Sequence, residues 1–206
     1  MLDFGLIAAV GLIHLVALVS PGPDFVVACR NSLLYSRTIG IYTAVGFGLG
    51  ICVHISYAVF GLSWLIANNE LIFTVIQYLG AFYLMLIGIQ SLRSFQSQIG
   101  QETTTASSRI SPFRAVRIGF ITNVLNPKAT LFFLSLFSTM LNPTVRELTL
   151  VVIAVLLVVT TILWFSLVAL LISLPRFTNV LKRCEKTAHQ FFGVLLIGIG
   201  VIILIF

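Results

Sequence analysis

Charge is what this sequence has least of. Six acidic and twelve basic side chains make up 9% of 206 residues, against 59% apolar ones. A water-soluble domain carries about 25% charged residues, so this chain has too few to cover a water-facing surface. That excludes a soluble enzyme, a disordered regulator and a nucleic-acid-binding domain. The net charge of +6 is no argument for a nucleic-acid partner, because basic loops on a membrane protein give the same sum. Cysteine is scarce as well. Cys29, Cys52 and Cys184 are odd in number and form no C-x-x-C pair, which argues against a disulfide framework or a zinc site. No basic segment precedes the first apolar run, whose first charge is Asp3, and no small-residue cleavage site ends it. That run is expected to stay in the mature protein. Nor is there an H-E-x-x-H, a G-x-S-x-G or a pair of intramembrane carboxylates, so enzymatic chemistry is not expected. Nothing calls for a cofactor.

What is present is apolar length, with a mean hydropathy of +1.11. Apolar stretches fall at 4–29, 39–67, 71–92, 116–140, 148–174 and 188–206. Each is long enough for a spanning helix of about 20 residues, and no alternating strand pattern appears. Lipid offers no partner to unpaired backbone groups, so all six are expected to be helices. The expected fold is an all-α integral membrane protein of one domain.

The connections between the stretches differ in charge. The first holds Arg30 and Arg37, the third Arg93, Arg109, Arg114 and Arg117, and the fifth Arg176, Lys182, Arg183 and Lys186. The second and fourth hold only Arg146. The positive-inside rule puts the basic connections in the cytoplasm and both termini outside. Residues 94–113, rich in Ser, Thr and Gln, read as a cytoplasmic linker between two three-helix halves, 1–93 and 114–206.

The halves resemble each other. Gln77-Tyr78-Leu79-Gly80-Ala81 answers Gln190-Phe191-Phe192-Gly193-Val194, and both first helices of the halves carry prolines. Three spans is an odd number, so a repeated unit enters the membrane inverted.

Ser20-Pro21-Gly22-Pro23-Asp24 and Asn123-Val124-Leu125-Asn126-Pro127-Lys128 carry the chemistry. Proline removes a backbone donor and clashes with the carbonyl one turn back, and glycine loosens the helix further. Both helices should break, and the freed carbonyls need new partners. A charge follows each break, Asp24 after Pro23 and Lys128 after Pro127. A charge near the bilayer centre costs about 2.5–3.5 kcal/mol on insertion scales and marks function. Inverted repeats would bring the breaks together in one polar cavity suited to a zwitterion. Asp24 and nearby carbonyls would meet an ammonium group, and Lys128, Asn123 and Asn126 a carboxylate. The structural alternative is that Asp24 pairs with Lys128 or caps the resumed helix.

His14 and His54 are candidate proton relays or cavity-lining groups, with a bond to a helix carbonyl as the alternative. Cys52 and His54, two apart on a helix, point roughly 200° apart and make a poor metal pair. Gly46-Phe47-Gly48-Leu49-Gly50 has the look of a dinucleotide loop but lies inside an apolar helix. Gly40, Ala44, Gly48, Cys52 and Ser56 recur every four residues, as a small-residue stripe where another helix comes close. Gly80, Gly88, Gly193 and Gly200 are expected to do likewise.

The segment His14 to Asp24, Leu79-Gly80-Ala81-Phe82-Tyr83-Leu84 with Gly88, and Gly119-Phe120 through Asn126-Pro127-Lys128-Ala129 resemble the lysine-exporter (LysE-type) translocators. Phe132-Phe133, Phe137-Ser138 and Trp164-Phe165 through Leu174-Pro175 are similar to that family's homoserine/threonine branch. The resemblance implies export of neutral amino acids across the bacterial inner membrane, driven by proton antiport. Asp24 would carry the proton, and the two breaks, Pro21-Gly22-Pro23 and Asn126-Pro127, would gate. Expected partners are the amino acid, protons and the lipid bilayer, with a second copy of the chain as a further candidate. Export of a basic amino acid or a metal cation, and passive conduction, stay open as alternatives. The few intramembrane Cys, His and acidic residues argue against a metal. The apolar spans argue against a continuous pore lining.

Overall fold

The computed structural model describes residues 2–20, 22–68, 110–140, 145–172 and 174, with scattered helical positions between 71 and 92 and between 187 and 205. Among these the regular structure is helical, and no strand occurs. Pro21, Gly80, Gly88, Cys184 and most of the expected linker lie outside the described residues. Six helices have defined bounds: α1 (Phe4–Val19), α2 (Pro23–Leu34), α3 (Arg37–Asn68), α4 (Pro112–Val124), α5 (Pro127–Met140) and α6 (Glu147–Leu171).

Among the described residues, two helical segments are long and apolar enough alone to cross a membrane, Arg37–Val59 in α3 and Glu147–Leu171. Two more candidate spans are bent pairs, α1 with α2 at 58° and α4 with the Lys128–Phe137 part of α5 at 60°. The bends fall at the two proline motifs. Proline at the first helical position loses only an N–H that a helix start leaves unpaired anyway, so it ends one helix and begins the next. Pro23, Pro112 and Pro127 all stand there. The expected boundary at Arg30 moves, since α2 continues to Leu34. The expected linker also ends earlier than 113, because Ser111 caps α4 by accepting from the Arg114 N–H at 3.2 Å.

α3 is the central element, packed on α2, α4, α5 and α6, while α1 lies on α6 and α5. In lipid, helices associate through close van der Waals packing rather than through exclusion of water, and small residues permit it. A Cβ on Gly46 would meet the Val116 carbonyl and lie 2.7 Å from the Phe120 nitrogen. One on Gly119 would meet the Thr43 carbonyl. Further along, a Cβ on Gly50 would collide with Asn123, so residue 46 faces 116–120 and residue 50 faces 123. The contacts ascend in both helices, so α3 and α4 run parallel, and Arg37, Arg114 and Arg117 come to one end.

The predicted stripe serves a second neighbour. Gly40 approaches Ala169 and Gly48 approaches Ile162, which makes α6 antiparallel to α3. Cys52 and Ser56 depart from the expectation. Both are exposed, and each bonds back to the carbonyl four residues earlier, Ser56 Oγ to Cys52 at 2.7 Å. At the opposite end of the bundle, the Asp3 N–H donates to Thr149 Oγ1 at 3.4 Å, tying the start of α1 to the start of α6. The basic and non-basic connections thus separate to opposite ends among the described residues. Gly200 comes against Met85 and the Ala81 carbonyl, so the third and sixth apolar stretches lie side by side there.

Two apolar clusters flank the middle of the bundle. Val10, Ile51, Phe132, Phe133, Ile153 and Leu157 belong to one. Phe25, Ala44, Phe47, Phe165 and Val168 belong to the other. The proline breaks lie between them.

Candidate functional site

Each break leaves carbonyls that a continuous helix would have satisfied, and each finds a donor elsewhere in the fold. Pro127 has no N–H to offer Asn123. The Asn123 carbonyl accepts instead from the Asn126 N–H at 3.0 Å and from His54 Nε2 at 3.0 Å. The Ser20 carbonyl, at the end of α1, accepts from Lys128 Nζ at 2.9 Å. The lysine stem crosses Gly22, where an added Cβ would lie 3.3 Å from its Cδ. A side chain there would crowd the lysine stem by a few tenths of an ångström, while the Gly22 backbone is extended and any residue could adopt it.

Asp24 occupies the first turn of α2, after Gly22 at the cap position and Pro23. It does not cap the helix. Its Oδ2 accepts from Asn123 Nδ2 at 2.8 Å, and Oδ1 is buried without a hydrogen-bond partner. A negative group at a helix start is favoured by the helix dipole. Asn126 is the capping residue of the second break. Its Oδ1 accepts from the Lys128 N–H at 3.0 Å, and its carbonyl accepts from the Thr130 N–H at 3.0 Å.

Asn123 turns its amide nitrogen to Asp24, and its Oδ1 is also buried and without a hydrogen-bond partner. Gly50 makes this position possible, because a Cβ there would collide with Asn123 Oδ1.

The two breaks share one cavity of about 50 Å³, room for several waters. Ser20, Gly22, Asp24, Asn123, Asn126 and Lys128 make its polar side. Phe25, Ile51, Phe132, Phe133 and Phe165 make the apolar wall, and His14 lines the cavity as well. His14 is buried and bonded to no carbonyl. Its Nδ1 lies 3.2 Å from Thr160 Oγ1 and its Nε2 3.3 Å from Thr161 Oγ1. His54 is buried behind the wall, stacked on Phe133 with ring centroids 5.5 Å apart. Cys52 is exposed, so the two residues face opposite ways.

The fold therefore gathers Gly22, Asp24, Asn123, Asn126, Lys128 and His14 around one space, with His54 one layer behind. Sequence reasoning missed Gly50, Tyr57 and the phenylalanine wall. Tyr57 was within reach of it, being three residues from His54 and so on the same helix face. Phe25 and Phe165 carry no local signal, because an apolar residue in a spanning helix is the norm.

The model of the LysE type translocator family matches residues 15–205. The threonine efflux protein of Salmonella typhimurium is 32% identical over 199 residues, 95% of this chain and 96% of that protein. The threonine efflux protein of Escherichia coli K12 is 31% identical over 201 residues, 97% of this chain and 98% of its own length. The leucine efflux protein of Salmonella choleraesuis is 26% identical over 193 residues, covering 92% and 89%. No solved structure matches. The family match runs through both proline breaks and the helices around them, and the chain belongs to the LysE-type translocator family.

Proposed function

We propose that this protein exports small neutral amino acids of the threonine and homoserine kind from the bacterial cytoplasm across the inner membrane. The observation that carries the reading is the shared cavity, where an acidic and a basic side chain from two separate helix breaks line one space. A zwitterion complements that arrangement. Its ammonium group goes to Asp24 Oδ1 and Asn123 Oδ1, and its carboxylate to Lys128 Nζ and the Asn126 amide. The side chain lies against Phe132 and Phe133. Efflux by the relatives named for threonine and leucine supports this class of substrate.

Export is coupled to inward movement of a proton on Asp24, with His14 and His54 as further proton-handling groups. One proton exchanged for one net-neutral amino acid moves one charge, worth about 2.3 kcal/mol per 100 mV. That sustains roughly a fifty-fold outward gradient. The Pro21-Gly22-Pro23 and Asn126-Pro127 breaks gate the path, since helix ends held by side-chain donors can exchange those donors for substrate.

The architecture in this reading is six spans in two inverted repeats, joined by a cytoplasmic linker that ends at the Ser111 cap of α4. Support comes from the two bends of 58° and 60° at corresponding places in the halves, and from the opposite signs of Asp24 and Lys128. Both termini lie in the periplasm, as the charge of the connections implies. A second copy of the chain remains a partner to test by cross-linking in the membrane.

Cells loaded with dipeptides containing threonine, homoserine, serine, lysine or leucine test the proposal directly. Expression should speed the appearance of threonine and homoserine outside the cell, and dissipating the proton gradient should stop it. Efflux equal to that of cells without the protein would refute the substrate class. Efflux indifferent to the gradient would refute the antiport. Counterflow of labelled threonine in sealed vesicles separates a carrier from a channel.

A further inference from the structure

His54 and Tyr57 sit one turn apart on α3 and reach both flanks of the second break. His54 Nε2 lies 3.0 Å from the Asn123 carbonyl, the one deprived of its helical partner by Pro127. Tyr57 Oη lies 3.1 Å from the Thr130 carbonyl at the start of α5, and 2.8 Å from His54 Nδ1. Two adjoining side chains of one helix thus hold α4 and α5 together across the bend.

A count of protons makes this arrangement two-state. A carbonyl only accepts, so Nε2 must carry a hydrogen. Tyr57 has one hydroxyl proton and two acceptors in reach, the Thr130 carbonyl and His54 Nδ1. While the imidazole is neutral, Nδ1 is a lone pair and competes for that proton. A proton taken from water onto Nδ1 creates an N–H that donates to Tyr57 Oη. The hydroxyl then turns about its Cζ–O bond to the Thr130 carbonyl, and no bond within Tyr57 breaks.

Burial opposes the cation, and a stacked ring offsets part of that cost. The Phe133 ring lies parallel to His54 at an interplanar angle of 2°, offering its electron-rich face. Asn123 links the site to Asp24 of α2 through Nδ2. Lys128 stands at the start of α5, and His14 of α1 lies beyond Phe133 at 5.9 Å between ring centroids.

We propose that His54 and Tyr57 form a proton-operated latch on the second break. The protonated pair fastens both α4 and α5 to α3, and the neutral pair releases α5. Both are positioning residues, and their part in transport rests on the export reading above, whereas the latch itself does not.

Solid-state NMR of the full chain in lipid bilayers tests it, with nitrogen-15 histidine and carbon-13 threonine carbonyls, across the range where histidine titrates. His54 Nε2 should keep its hydrogen throughout. Nδ1 should gain one on acidification, and the Thr130 carbonyl shift should move with the same midpoint. In Tyr57→Phe the carbonyl shift should become flat while Nδ1 still titrates. His54→Gln, whose amide can still donate to Asn123, should be flat as well. A Thr130 response that survives Tyr57→Phe, or an Nδ1 that never titrates, overturns the latch. Labelled-threonine efflux supplies the second readout. Tyr57→Phe should remove from its pH profile the step that shares the His54 midpoint, and a profile merely scaled down would overturn the latch's part in transport. The NMR arm needs no substrate, so absence of threonine efflux in the unaltered protein would count against export alone.

Discussion

Asp24 and Asn123, from two different broken helices, are joined by a 2.8 Å hydrogen bond from amide nitrogen to carboxylate oxygen. The bond commits Asn123 as a donor and leaves one oxygen of each residue without a partner. Two buried acceptors without partners are costly unless a donor or cation visits them, because an unsatisfied buried polar group costs about 1–3 kcal/mol. Several expectations follow from that pairing and from the lysine opposite.

Asp24→Asn keeps the shape of the site and removes its negative charge. Labelled-threonine efflux should fall on the order of tenfold or more, the equivalent of about 1.4 kcal/mol. Membrane content, read by immunoblot, should stay unchanged. Normal efflux from this variant would take Asp24 out of the mechanism.

Lys128→Met keeps the stem over Gly22 but leaves the Ser20 carbonyl without its lysine donor. The orphaned acceptor should lower stability by about 1–3 kcal/mol, seen as a reduced melting temperature in detergent. Efflux should be lost. The double variant with Asp24→Asn should recover part of the stability, because no lone charge remains, but none of the efflux.

Pro127→Ala returns an N–H at the position that faces the Asn123 carbonyl. That donor competes with His54, and the bend of 60° should shrink as α4 and α5 join. Distances between spin labels at Phe113 and Ser138 should lengthen, with slower efflux and a melting temperature no lower than that of the parent. An unchanged distance would mean that proline does not hold the bend.

Gly46→Ala places a Cβ 3.0 Å from Gly119 Cα and closer still to the α4 backbone. Backbone cannot yield as a flexible side chain can, so the parallel α3–α4 contact should open at a cost of about 1–3 kcal/mol. The control is Gly198→Ala, where a Cβ meets nothing within 4 Å, and whose melting temperature should not fall.

Composition alone determined the solvent of this protein, since 9% charged residues leave lipid as the only surroundings that most of the chain can face. The positions of the breaks were also local facts, because a missing N–H at Pro23 or Pro127 acts within one helical turn. The separation of basic from non-basic connections was legible too, as loop charge alternates along the chain. What a proline cannot specify is who fills the hydrogen bond it removes. That Lys128 reaches the Ser20 carbonyl, that His54 serves Asn123, and that Asn123 turns its amide toward Asp24 all depend on helices more than sixty residues apart meeting through glycines. Only the tertiary structure could decide them, because a polar group in an apolar interior takes the partner that packing brings within 3 Å, and packing is a property of the whole bundle.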